Sequence, residues 1–227
     1  MQKRIYFELY AKTHIFVKKK NVIAVITGDI IHSQKVSPEL WMPELKKVLS
    51  RYGPEPEKWE IFRGDSFQLE TLPLEALKVA ILIKASIKQF KNLDVRMAIG
   101  VGEKTYHAGK VTESSGSAFV FSGETFEKMK KKTLLIRTPW QDFDETMNLM
   151  FDLASLTMNR WRPSTSLIIK TALENEGISQ KELTSLLGKK QSNISAALKR
   201  GGFYEIKKMI EYYQQKIMEK CPDCSSN

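Results

Sequence analysis

The sequence predicts an α+β fold: a ferredoxin-like palm over residues 21–139, then a small all-α helix-turn-helix domain over 163–220. Three observations predict it. Apolar runs and amphipathic stretches follow in the order β-α-β-β-α-β from Val22 to Val101, the order of a split βαβ sheet. The texture changes at Pro139-Trp140, and beyond it the apolar spacing is helical throughout. Two short amphipathic segments then meet at Gly188, and the second is cationic. A basic extension over 1–20, a connecting helix over 140–162 and a tail over 221–227 fill out the organisation.

Each element has its own signal. Val22-Ile-Ala-Val-Ile26 is a β-branched apolar run, the mark of a buried strand, and it ends at Thr27-Gly-Asp29. Ser37-Pro38 opens a helix with Leu40, Trp41, Leu45, Val48 and Leu49 at helical spacing, and Tyr52-Gly-Pro-Glu-Pro56 stops it. Trp59 to Phe62 and Ser66 to Leu69 read as strands joined by the turn Arg63-Gly-Asp65. Pro73 starts a second helix, with an apolar face through Leu77, Ala80 and Ile81, and Val95 to Val101 is the next buried strand. Residues 102–116 read as a loop or irregular strand, followed by a helix from Ala118 to Lys131 and a last strand from Thr133 to Thr138. The connecting helix carries Met147, Leu149, Met150, Leu153 and Leu156. Arg162-Pro-Ser-Thr165 breaks it and supplies an N-cap. Glycine turns at Gly177 and Gly188 separate three further helices, and a last one runs from about Tyr204 to Lys220.

Composition excludes several classes. The chain has 227 residues, 42% hydrophobic and 27% charged, so it can build its own core. No apolar run approaches a membrane span, and no apolar stretch follows the early lysines as a secretory signal requires. No membrane partner is expected. Cys221 and Cys224 are the only cysteines, which predicts a cytoplasmic protein. They make half of a zinc site, and His14, His32 and His107 lie far from them. The expectation is a solvated tail with two thiols. A net charge of +10 favours an anionic partner.

The glycine turn carries the sharpest functional signal. Ser179 and Glu182 have capping-box spacing, and Leu183, Leu186 and Leu187 supply a buried face. After Gly188 a second helix turns Ile194, Ala197 and Leu198 inward and Lys189, Lys190, Gln191, Ser192, Asn193, Ser195, Lys199 and Arg200 outward. The Q-x-x-L-x-x-x-L-G pattern and the Q-S-x-I-S helix resemble a bacterial helix-turn-helix. Gln191, Ser192 and Asn193 can read base edges in double-stranded DNA, and the lysines can neutralise phosphates. The competing reading is a helical bundle that only binds protein. The final helix also has two readings: Ile206, Met209, Ile210, Tyr213 and Ile217 pair two chains into a homodimer, or pack on their own domain.

Three strings in the palm stand in order: Gly28-Asp-Ile-Ile-His-Ser33, Arg63-Gly-Asp-Ser-Phe67 and Arg96-Met-Ala-Ile-Gly-Val-Gly102. Together they resemble class III nucleotide cyclases. The resemblance implies that Asp29, Asp65 and the Ile30 carbonyl hold Mg²⁺, with a nucleotide as effector or substrate. Residue by residue, Asp29 and Asp65 are equally suited to turn chemistry. His32, beside Asp29, reads as a phosphate contact or a surface loop residue. The segment 116–126 lacks the asparagine and arginine that steady the cyclase transition state, and Arg137 lies too far along to replace them. The resemblance therefore implies nucleotide binding rather than cyclisation.

The strings VITGDII-x-S, W-E-IFRGDSFQ, RMAIG-x-G, ES-x-G-x-AF-x-x-SG and S-Q-x-E-L run in this order from Val25 to Leu183. The chain resembles the SatD family of bacterial proteins over about Val22 to Tyr213. That implies a transcriptional regulator whose palm is a sensor or dimerisation domain. The alternative is a metal-dependent, cyclase-like enzyme on nucleoside triphosphates, with the helical part as its targeting module.

Overall fold

The computed structural model describes residues 21–225. The basic extension read in residues 1–20, with His14, lies outside the described residues.

The central strand is β1 (Val22–Ile31). It pairs antiparallel with β3 (Ser66–Thr71) on one side and β4 (Asp94–Glu103) on the other. β2 (Trp59–Phe62) lies antiparallel to β3, and β5 (Leu134–Arg137) lies parallel to β4. The result is a mixed five-stranded sheet of order β2-β3-β1-β4-β5. Helix α1 (Pro38–Leu49) joins β1 to β2, α2 (Ala76–Ile87) joins β3 to β4, and α3 (Ser117–Lys128) joins β4 to β5. β1 and β2 are therefore parallel with β3 between them, and β3 and β4 are parallel with β1 between them.

Strand alternation decides which layer covers each face. Ala24, Ile26 and Ile30 of β1 join Trp41 and Leu45 of α1 and the residues of α2 in one core. Ile23 and Val25 point the other way, against Ala118 of α3. That second layer needs glycine beneath it. A Cβ at Gly100 would stand 2.2 Å from the Ala118 carbonyl oxygen and 2.4 Å from the Ser122 nitrogen.

β1 runs five residues past the expected end at Ile26. Both neighbours continue to pair with it, with Gly28 opposite Phe67 and Met97, and Asp29 opposite Ser66 and Arg96. Gly28 is tolerated inside the strand because a Cβ there would meet the Phe67 ring at 2.6 Å. Asp29 is thus a strand residue, neither a helix cap nor a turn residue.

Helices α4 (Gln141–Met158), α5 (Pro163–Glu174), α6 (Gln180–Leu187), α7 (Gln191–Arg200) and α8 (Phe203–Lys220) follow. α5 starts at Pro163, with Arg162 as its N-cap, so Ser164 and Thr165 lie inside the first turn and cap nothing. The helical part docks on α2. Eleven of the twelve residues of α2 are buried, Lys84 and Ser86 among them, so the helix expected to bury one face is enclosed on nearly every side. Ile26, Ile81, Ile169, Leu183 and Tyr213 belong to a single hydrophobic cluster. Polar ties reinforce the docking. Tyr213 donates to the Pro73 carbonyl at 2.7 Å, Arg51 pairs with Glu174 at 3.0 Å, and Lys170 pairs with Glu44.

The C-terminal region decides one pair of readings and corrects one expectation. Ile206, Met209, Ile210, Tyr213 and Ile217 are all buried within the chain, so of the two readings of the final helix the stripe packs on its own chain. Cys221 and Cys224 form a disulfide and are not free thiols. Cys224 is buried in the core and Cys221 packs against it, so this end is anchored and not solvated. Among the described residues no helix is long and apolar enough to cross a membrane.

Candidate functional site

The ends of the strands build a cleft of about 530 Å³. β1 contributes Asp29, Ile30 and Ile31, and the following turn contributes His32 to Lys35. The β2–β3 hairpin adds Asp65, β4 adds Arg96, and the loop before β5 adds Lys130, Lys131 and Lys132. The two aspartates singled out in the sequence therefore line one cleft.

Each aspartate has a partner within the protein. Arg96 is the cross-strand neighbour of Asp29. Its Nε and Nη2 donate to the two Asp29 oxygens, each at 2.7 Å. This bidentate pairing is among the strongest a carboxylate makes. The hydrogen bond to Asp29 holds the guanidinium even more firmly protonated than usual. Its carbon stands 4.7 Å from the centre of the Phe126 ring, which fixes its plane. Asp65 accepts from the Ser33 hydroxyl at 2.6 Å, and its carbonyl accepts the Ile30 amide at 3.1 Å. Both Asp29 oxygens are thus taken by the Arg96 guanidinium, and one Asp65 oxygen by the Ser33 hydroxyl. No three His, Cys, Asp or Glu side chains converge on a metal position among the described residues. The set Asp29, Ile30 and Asp65 lines one cleft, with the Arg96 guanidinium against Asp29.

The cleft suits an anion. Five cationic side chains line it against two carboxylates. Arg96 is engaged with Asp29, and Lys132 with Asp152 at 2.7 Å. Lys35, Lys130 and Lys131 have no ion-pair partner among the described residues. His32 (φ 64°) and Lys130 (φ 50°) also hold left-handed backbone conformations, which non-glycine residues adopt at a cost. Lys130, Lys131 and Lys132 belong to no motif, and their one signal in the sequence is a run of three lysines ahead of a strand. His32 lines this cleft and also a neighbouring cavity that ends at Trp161 and Arg162.

The glycine turn is the second candidate site. Ser179 and Glu182 make a complete capping box: the Glu182 amide donates to the Ser179 hydroxyl at 3.2 Å, and the Ser179 amide to Glu182 Oε2 at 2.8 Å. Gly188 ends α6 in the left-handed conformation at φ 60°, which glycine adopts freely. In α7, Ile194, Ala197 and Leu198 face inward. Lys190, Gln191, Ser192, Asn193, Ser195, Lys199 and Arg200 are exposed, and Lys189 is half-buried. No acidic residue lies between Lys189 and Arg200. α7 ends under Trp161, whose Nε1 donates to the Gly201 carbonyl at 2.9 Å.

No protein-family model matches this chain, and no curated protein matches it either.

Proposed function

We propose that the chain is a DNA-binding transcriptional regulator of the SatD type. In this reading α6, the Gly188 turn and α7 are its helix-turn-helix, and the sheet part is a cyclase-like palm that serves as sensor. The observation that carries the reading is the face of α7: seven exposed polar or cationic side chains, free of carboxylates, over a buried Ile194–Ala197–Leu198 seam. Gln191, Ser192 and Asn193, in its first turn, are the base readers; Lys189, Lys190, Lys199 and Arg200 contact phosphates. The palm cleft takes a small phosphate-bearing anion on Lys35, Lys130 and Lys131, without a metal. The cyclase-like enzyme reading is weaker, because Arg96 and Ser33 already hold the two carboxylates it needs.

The test is fluorescence anisotropy of a labelled duplex across a salt series. Binding at low salt whose logarithm falls steeply with the logarithm of salt supports the reading. Lys190→Ala/Lys199→Ala should flatten that slope. Absence of binding at low salt, or a slope unchanged in the variant, overturns it.

A further inference from the structure

α4 presents apolar residues to solvent on the side opposite its core. Phe143, Met147, Phe151 and Met158 are buried. Leu149, Leu153 and Leu156 are 62%, 60% and 63% exposed. One exposed leucine needs no explanation, but three along one helical face do. Charges of opposite sign flank the stripe: exposed Glu145 stands one helical turn before Leu149, and exposed Arg160 follows the end of α4, four residues after Leu156. Neither has an ion-pair partner among the described residues.

The pattern is symmetric on reversal. Leu149 and Leu156 are equidistant in sequence from the point between Asp152 and Leu153, and so are Glu145 and Arg160. We infer that α4 packs antiparallel against α4 of a second copy, about a two-fold axis between Asp152 and Leu153. Leu149 then meets Leu156 of the second copy, the two Leu153 side chains meet near the axis, and each Glu145 meets an Arg160. Such an isologous contact closes as a dimer. A parallel pairing would bring Glu145 against Glu145, so the charges select the antiparallel orientation. Asp152 does not oppose the contact, because Lys132 neutralises it at 2.7 Å. A groove of about 750 Å³ between α4 and α8 lies beside this stripe, with Met150 and Leu153 on its α4 wall.

Sedimentation equilibrium over a concentration series tests this on the full chain. The wild type should be a dimer that dissociates on dilution. Leu153→Glu should be monomeric with an unchanged circular dichroism spectrum, since the site is on the surface. Glu145→Arg should weaken association about tenfold, and Glu145→Arg/Arg160→Glu should restore it. A monomeric wild type, a Leu153→Glu protein that still dimerises, or a charge swap that fails to restore association would each overturn the inference.

Discussion

Lys84 Nζ meets Asp94 Oδ1 at 2.6 Å beneath α2, with the lysine side chain only 1% exposed. Lys88 takes the other Asp94 oxygen at 3.0 Å and the Asn159 carbonyl at 2.8 Å, and the Val95 amide donates to Asp94 at 2.8 Å. One carboxylate thus ties α2 and the start of β4 to the end of α4. Burial lowers the Lys84 pKa, and the pull of Asp94 only partly offsets it.

Removing the carboxylate should therefore cost far more than removing the lysine. Asp94→Ala strands a buried ammonium and should destabilise by about 3–5 kcal/mol. Lys84→Met keeps the packed volume and leaves Asp94 with Lys88 and the Val95 amide, so about 1 kcal/mol is expected. Urea unfolding of the two variants measures the difference, and equal costs would contradict it.

Glu70 makes a pH-dependent contribution. Burial pushes its carboxyl up, but the hydrogen bonds from Lys104 at 2.5 Å and Lys58 at 2.7 Å outweigh burial and hold it below the usual glutamate value. A depressed folded-state pKa adds stability above the unfolded value, and that stability is lost as pH falls through it. Glu70→Gln should destabilise by about 1.5–3 kcal/mol at neutral pH. Melting curves of wild type and variant should converge as pH drops below about 4.5 and on through the lower folded-state value. A gap that stays constant down to acid would refute the assignment.

Much of this architecture was legible because local signals agreed. The β-branched run at Val22, the Arg63-Gly-Asp65 turn and the Ser179–Glu182 box each specify a short stretch without long-range help. The full length of β1 was not legible, since Gly28 and Asp29 look like a strand stop and only pairing with β3 and β4 carries the strand to Ile31. The same register brings Arg96 to Asp29, so the partner that changes the reading of the cleft is invisible until the strands are aligned. In α4, Met147 and Leu153 are both apolar and lie on different faces. Periodicity cannot say which face meets the core when both are apolar.

The α7 face should divide into two kinds of residue. Gln191→Ala and Asn193→Ala should cost about 1–3 kcal/mol on a cognate site and relax its sequence preference. Lys189→Ala and Lys190→Ala should weaken every duplex alike and reduce the salt slope by about 1 each. Competition titrations against a randomised duplex pool distinguish them. Uniform losses from all four variants would mean that no base is read.

The sheet-to-α3 contact gives a paired prediction at two glycines. Gly100→Ala drives a methyl into the backbone of α3 and should cost about 3 kcal/mol. It should also disturb the buried contact between the Thr27 and Ser122 hydroxyls at 3.0 Å. Gly123→Ala, within α3 and with open space around it, should gain about 0.5–1 kcal/mol from helix propensity. Thermal melts that rank the two variants the other way would show that α3 is not seated on β4.

The near-complete enclosure of α2 has a practical consequence for dissection. A truncation that follows the change in sequence texture at Pro139-Trp140 would strip α5 from α2, leaving an oily helix exposed on the fragment that keeps the strands. The other fragment would lose the surface that Tyr213 and Ile169 rest on. Neither piece should be soluble alone, and the two should melt in one cooperative step when joined. A composition boundary here does not mark a seam along which the folded molecule comes apart.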